Sequence, residues 1–290
     1  MRNWSRRLLR QVGALAGTAL VGGLLAAALV RTSPGFEADE RQLDPRLDAA
    51  SLQFIRAERT ANRDVLSFYA HYLGGMLHGD LGVSTSLRRP ISELIRSRVS
   101  VTAGLMAAGL LGGWGLAFAM AVPAVLCRRP GYSGFASVLN GLLMCVPSAA
   151  LAIVAFNIGG PVRAIVALVI CPRVFDYLRN LLRDALSQPH VVTARAKGLG
   201  TARILLRHVL PASAPQLLAL AGVSVTMAFG ASIPVETLCD LPGLGQLAWK
   251  AAVARDLPLL VTLTLGITLL TQLCNAASDW LIGGVGGMGR

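Results

Sequence analysis

Uncharged apolar runs alternate along this chain with short basic stretches. The runs cover residues 12–30, 101–126, 134–157, 161–182, 212–233 and 258–282. A helix crossing a bilayer needs ~20 mostly apolar residues. Lipid offers the backbone no hydrogen-bonding partner, so a crossing segment satisfies its own N–H and C=O groups as a helix. The pattern therefore predicts an all-α polytopic membrane protein with six transmembrane helices. The first run follows the basic stretch MRNWSRRLLRQ, as the apolar part of a signal peptide would. It has the length of a span, however, and leads into Arg31-Thr32-Ser33-Pro34 instead of a small-residue cleavage site, so a retained helix is expected. The fourth run is the weakest: only AIVALVICP (164–172) is uncharged, between Arg163 and Arg173. It must continue past Pro172 to span, as a kinked helix that protrudes from the membrane. Pro147 marks a second place where a span is expected to bend.

Three regions follow: a basic end and first transmembrane helix (1–30), a polar segment (31–100), and a five-helix core (101–290) interrupted by the polar loop 187–211. Orientation comes from positive charge in the short loops. With a cytoplasmic N-terminus, the inside carries Arg2, Arg6, Arg7, Arg10, Arg128, Arg129, Arg173, Arg179, Arg183, Arg195, Lys197, Arg203, Arg207 and Arg290. The short outer loops carry Arg163, Lys250 and Arg255. Both termini and loop 187–211 are then cytoplasmic, and 31–100 is extracytoplasmic.

Composition agrees. The 290 residues are 54% hydrophobic and 14% charged, with mean hydropathy +0.59, against roughly 25% charged in soluble domains. The net charge of +12 sits beside the apolar runs, which favours a lipid surface over nucleic acid. Cys127, Cys145, Cys171, Cys239 and Cys274 show no CxxC spacing, so neither a metal site nor a disulfide framework is indicated. His71, His78, His190 and His208 lie outside the runs, where they cannot build a catalytic centre at membrane depth. No GxxxxGK[ST] phosphate loop occurs, so no bound cofactor is expected. Asp176, between Arg173 and Arg179 at helical spacing, is expected to be ion-paired.

Chemistry concentrates in SQPHVVTARAKGLGTARILLRHVLP (187–211). Ser187 and Pro189 suit a helix start, Gly198 and Gly200 a stop, and Thr201 an N-cap for a second helix. A plain connection needs only 2–8 residues, so this basic helix–turn–helix is a docking surface or, less economically, a membrane anchor.

The segment resembles the cytoplasmic loop of permease subunits of bacterial ABC importers. Their signature is Glu-Ala-Ala, three residues, Gly, nine residues, Ile-x-Leu-Pro. Here Val192-Thr193-Ala194, Gly198 and His208-Val209-Leu210-Pro211 stand at that spacing, with Val192 in place of the acidic residue and His208 in place of isoleucine. TARAKGL (193–199) is similar to the dipeptide, oligopeptide and nickel branch. YLGGMLHGDLGVS (72–84) resembles that branch before its second span. VETLCDLPGLGQLAWKAAVARDLPLL (235–260) resembles the loop before its last span, with Pro242-Gly243-Leu244-Gly245 and Arg255-Asp256-x-Pro258 in place. Residues 35–66 match least.

The resemblance implies a permease subunit of the cytoplasmic (inner) membrane. It would work with a second, different permease chain, two cytoplasmic ATPase subunits that use the ATP, and an extracytoplasmic substrate-binding protein. It makes Thr193, Ala194, Arg195, Lys197, Gly198, Leu210 and Pro211 the ATPase-coupling loop, with a coupling helix between the fourth and fifth spans. Glu236, Pro242, Gly243 and Gly245 become outer-loop or pathway residues, although a simple solvated loop would also accommodate Glu236. The cargo is a peptide, nickel or another small solute. The alternative is a secondary transporter or channel working without ATP; that class predicts charged residues deep in the spans and an internal repeat, and neither is evident.

Overall fold

The computed structural model describes residues 74–76, 78–126 and 130–287, with isolated positions between 13 and 25. The expected first span and most of the polar segment 31–100 lie outside the described residues. The elements are helices α1 (Ile91–Leu126), α2 (Pro130–Cys145), α3 (Ser148–Asn157), α4 (Val162–Leu186), α5 (Pro189–Ala196) and α6 (Thr201–Ile204). A wide helical turn (Leu205–Val209) follows, then α7 (Leu210–Ala212), α8 (Ala214–Leu238), α9 (Leu244–Val253) and α10 (Leu257–Gly287). Among the described residues, α1, α8 and residues Leu257–Ser278 of α10 are long and apolar enough to cross a membrane, and α2 with α3 makes a fourth crossing if the bent pair is one span.

That pair covers the run 134–157, and the bend expected at Pro147 is a full break between two helices. Residues Gly131–Cys145 and Ser148–Asn157 meet at 91°. Pro147 causes the break: the residue before a proline is driven out of the helical region, and Pro147 itself is extended at φ −62°, ψ 143°. Pro172, by contrast, is accommodated inside α4. α1 begins at Ile91, inside the stretch read as polar. The stretch read as the outer loop before the last span contains helix α9.

The chain divides into two compact units. One comprises residues 1–98 and 247–272. Its described part includes a tight turn from Gly82 to Ile91, bridged between Val83 and Pro90, the start of α1, most of α9 and residues 257–272 of α10. The Ile91 amide donates to the Gly82 carbonyl at 3.1 Å. Gly82 has φ +72°, where a side chain would be strained.

The other unit comprises residues 99–246 and 273–290. Here α4 packs against α2, α3 and α8, burying Ile165, Val166, Ile170, Val174, Phe175, Leu178 and Leu182 along one face. Glycine brings α1 close to α4: a Cβ at Gly109 would overlap the Val166 side chain, and one at Gly113 would stand 3.0 Å from the Ala167 carbonyl. Gly109 and Gly113 form the small-xxx-small spacing that lets membrane helices approach. On α8, a Cβ at Gly222 would lie 2.6 Å from Asn275 Oδ1 of α10, and Ser224 accepts from Trp114 Nε1 at 3.2 Å. The ion pair expected of Asp176 is not formed among the described residues; Arg179 donates to Ser137 Oγ and lies over the Phe175 ring.

Candidate functional site

Two loop systems hold the residues singled out by sequence. The first leaves the C-terminus of α4. Ser187 ends α4 instead of starting a new helix; Gln188 is the N-cap of α5 and Pro189 its first residue, where a missing N–H costs nothing. Thr193 turns its hydroxyl back to the Pro189 carbonyl at 3.0 Å. Ala194 and Val191 are buried, while Arg195 and Lys197 are exposed.

The end of α5 explains its glycine. Gly198 has φ +75°, its amide donates to the Arg195 carbonyl at 2.9 Å, and the Leu199 amide donates to the Ala194 carbonyl at 3.3 Å. These paired bonds form a Schellman cap, which requires a left-handed residue at that place. A Cβ at Gly198 would meet nothing within 4 Å, so the glycine is there for backbone conformation, with open space around it. Gly200, not Thr201, is the N-cap of α6, and no side chain caps it. Ile204, Leu205 and Val209 turn inward, and Leu210 and Pro211 begin α7.

The second system is the connection from α8 to α9. Glu236, on the last turns of α8, is 0% exposed. One carboxyl oxygen accepts from Thr102 Oγ1 at 2.7 Å. The other accepts from the Gly245 amide at 2.7 Å and the Gln246 amide at 3.1 Å. Thr102 Oγ1 in turn accepts from the Leu244 amide at 2.7 Å. The first amides of a helix have no partner within it. Here Glu236 and Thr102, distant in sequence, satisfy those of α9, as an N-cap residue ordinarily would. Glu236 is thus an enclosed anchor in this chain, not a solvated loop residue.

The glycines of Pro242-Gly243-Leu244-Gly245 belong to this anchor. A Cβ at Gly243 would overlap the Glu236 carboxyl group, and one at Gly245 would lie 2.8 Å from Ile233 Cα. Asp240 takes a left-handed φ of +48° and accepts from Gln246 Nε2 at 2.7 Å. Pro242 is exposed at the tip.

Sequence reasoning missed a third cluster, which joins the segments around Ser84 and Asp256. Asp256 is 0% exposed. Its Oδ2 accepts from Ser84 Oγ at 2.5 Å, the Ser86 amide at 2.9 Å and Ser86 Oγ at 2.7 Å. Its Oδ1 accepts from the Leu259 amide at 3.2 Å and so caps α10. Burial pushes the Asp256 carboxyl up, but the hydrogen bonds from Ser84, Ser86 and Leu259 outweigh it and hold the group below 3.8. The available signal was the proline-flanked Arg255-Asp256-x-Pro258, an N-cap pattern; its serine partners were not inferable. No group of three or more potential metal ligands occurs among the described residues.

A helical protein with several apolar helices and an ordered basic hairpin belongs to the class of multi-pass membrane transport components. Residues 100–285 match the model of the binding-protein-dependent transport system inner membrane component, and the chain belongs to that family. It is the permease subunit of an ATP-driven importer. It is 26% identical to the glutathione transport system permease protein GsiC of Salmonella typhimurium over 304 aligned residues, covering 94% of this chain and 95% of the relative. It is 25% identical to the oligopeptide transport system permease protein AppB of Bacillus subtilis, covering 95% of each. Among solved structures, the MetNI methionine ABC transporter in an inward-facing conformation matches with a TM-score of 0.60 at 17% identity, over 67% of this chain and 97% of that one; that likeness concerns the fold.

Proposed function

We propose that this chain forms half of the translocation pathway of a peptide importer and couples it to ATP hydrolysis through α5. In this reading six helices span the membrane, both termini and the α5–α7 hairpin are cytoplasmic, and residues 31–100 are extracytoplasmic. A second, different permease completes the pathway. Two ATPase subunits receive the hairpin, with Thr193, Ala194, Arg195, Lys197 and Gly198 at its tip and Leu210 and Pro211 at its return. A binding protein delivers cargo to the outer face, where Glu236 holds the Gly245 and Gln246 amides and Gly243 leaves room for its carboxyl group. Peptide cargo is supported by the relatives of known transport class; nickel is the weaker reading. The chain itself contributes no ATPase chemistry.

The observation that carries the coupling role is the cap of α5. An exposed basic helix, closed by paired backbone bonds and joined to α4 through only Ser187 and Gln188, can transmit a push as a rigid element. Left-handed backbone at a residue other than glycine costs about 1–2 kcal/mol, and a large side chain at Gly198 would project into the open space a partner must fill. Gly198→Trp should leave membrane insertion near normal while abolishing uptake and weakening ATPase co-purification. Gly198→Ala should be intermediate. A Gly198→Trp complex that assembles and transports at the parental rate would reduce the hairpin to a membrane anchor.

A further inference from the structure

Where the start of α2 packs against the end of α4, serines face arginines. Arg179 donates to Ser137 Oγ, and Arg183 Nη2 donates to Ser133 Oγ at 3.3 Å. Ser137 gives its own proton to the Ser133 carbonyl at 2.8 Å, which leaves its lone pairs for Arg179. At ~1.5 Å per residue, Ser133 and Ser137 stand about 5 and 10 Å beyond Pro130, and Arg183 and Arg179 about 5 and 10 Å before Leu186. Both pairs therefore lie within two turns of a helix end. Arg183 is exposed and Arg179 half-buried. Neither is matched by an acid among the described residues: Asp176 and Asp184, on the same helix, pair with neither. Arg179 Nε is enclosed without an acceptor, and its guanidinium lies over the Phe175 ring, 5.5 Å from the centroid. A hydroxyl accepts a hydrogen bond but does not neutralise the donor, and a partly buried cation without a counter-charge is costly.

Two guanidiniums one helical turn apart, each with donors to spare, are complementary to the oxygens of a phosphate. Position selects a lipid as its carrier. Positive charge in the short loops puts both of these helix ends at the cytoplasmic face, and Arg128 and Arg129 come immediately before α2. Basic pockets between helices at that face suit anionic headgroups, which long arginine stems reach from slightly deeper positions. The side of α2 turned away from α4 is apolar and bare at Phe135, Val138 and Leu142, so acyl chains can lie along the helix that carries the two serines. We propose that Arg179, Arg183 and the Ser133 hydroxyl hold the headgroup phosphate of an anionic phospholipid of the inner leaflet, with Ser137 orienting Arg179. The site goes beyond the transport reading and uses it only to put these helix ends at the cytoplasmic face.

The test uses the assembled transporter in a neutral detergent, loaded with phosphatidylglycerol, washed, and scored by mass spectrometry for lipid retained per complex. Arg179→Gln with Arg183→Gln should retain one phosphatidylglycerol fewer per copy of this chain than the parent. Lysine at both positions keeps the charge and should keep that molecule. An unchanged count in the glutamine pair overturns the proposal. So does an equal loss in the lysine pair, which would make the arginines packing groups that hold α4 to α2. Displacement of the parental lipid by an equal amount of phosphatidylcholine overturns it as well, because the site would then not select net charge. Displacement by excess inorganic phosphate shows a site for the free anion and refutes the lipid. A glutamine pair that keeps its lipid but loses the ATPase subunits assigns the arginines to that partner instead. If the glutamine pair does not assemble, Ser133→Ala with Arg183→Gln, which leaves Arg179 in place, is scored in the same way, and full retention in it sinks the proposal. The assay involves neither cargo nor ATP, so its failure leaves the transport reading standing.

Discussion

Replacing Glu236 by alanine should release the start of α9 without disturbing α8 itself. The substitution removes the acceptor of the Gly245 and Gln246 amides, which lie 2.7 and 3.1 Å from it. Both residues are buried, so water does not readily replace the lost partner. A buried donor left unsatisfied costs about 1–3 kcal/mol, so the two together amount to roughly 2–6 kcal/mol. Thr102 loses the acceptor for its own hydroxyl but keeps the bond it receives from Leu244, which sets the effect toward the middle of that range. At ~1.4 kcal/mol per tenfold change, a local loss of about 3 kcal/mol raises amide exchange at Gly245 and Gln246 by roughly 100-fold. Hydrogen exchange read by mass spectrometry on a peptide covering 243–248 measures this directly. Glu236→Gln retains one acceptor oxygen and should accelerate exchange less. Gly243→Ala, whose methyl would overlap the carboxyl group, should resemble Glu236→Ala. Exchange in Glu236→Ala within about threefold of the parental rate would refute the assignment of Glu236 as the cap of α9.

Three further outcomes follow from the same geometry. The hydrogen bonds that hold Asp256 below 3.8 mean that the folded chain takes up a proton there less readily than the unfolded chain. The resulting stability is present above pH 3.8 and is lost as pH falls below it, so the detergent melting temperature should drop in that range, and Asp256→Asn should lower it at neutral pH and flatten the acid drop. Gly109→Leu forces a side chain into Val166 where α1 meets α4; overpacking of this kind costs ~1–3 kcal/mol, to be seen as a lower melting temperature and faster labelling of the buried Cys171. Thr201→Cys should react with membrane-impermeant thiol reagents in inverted vesicles; reaction in intact cells would place the hairpin on the wrong side of the membrane.

What the sequence determined by itself is set by the solvent and by local backbone rules. Apolar runs of spanning length, interrupted by arginines, announce a polytopic helical protein because lipid tolerates little else. Gly198 is legible for a similar reason: the end of a helix followed by a return needs left-handed backbone, and glycine supplies it. Proline is legible less securely. Pro147 and Pro172 look alike in the chain, yet the first breaks a helix through 91° and the second rides inside α4, because neighbours decide whether a lost hydrogen bond matters.

The tertiary structure alone decided which polar groups are enclosed and which are bare. Glu236 looks like a loop carboxylate until α9 folds back and offers it two amides and Thr102 adds a third donor from far away in the chain. Asp256 gains its serine partners by the same long-range closure. The fourth apolar run, weak because arginines interrupt it, is a helix covered by its neighbours on one side and polar on the other. Hydropathy along a chain averages these two faces into a marginal span; only packing separates the face that builds the core from the strip that carries Arg173.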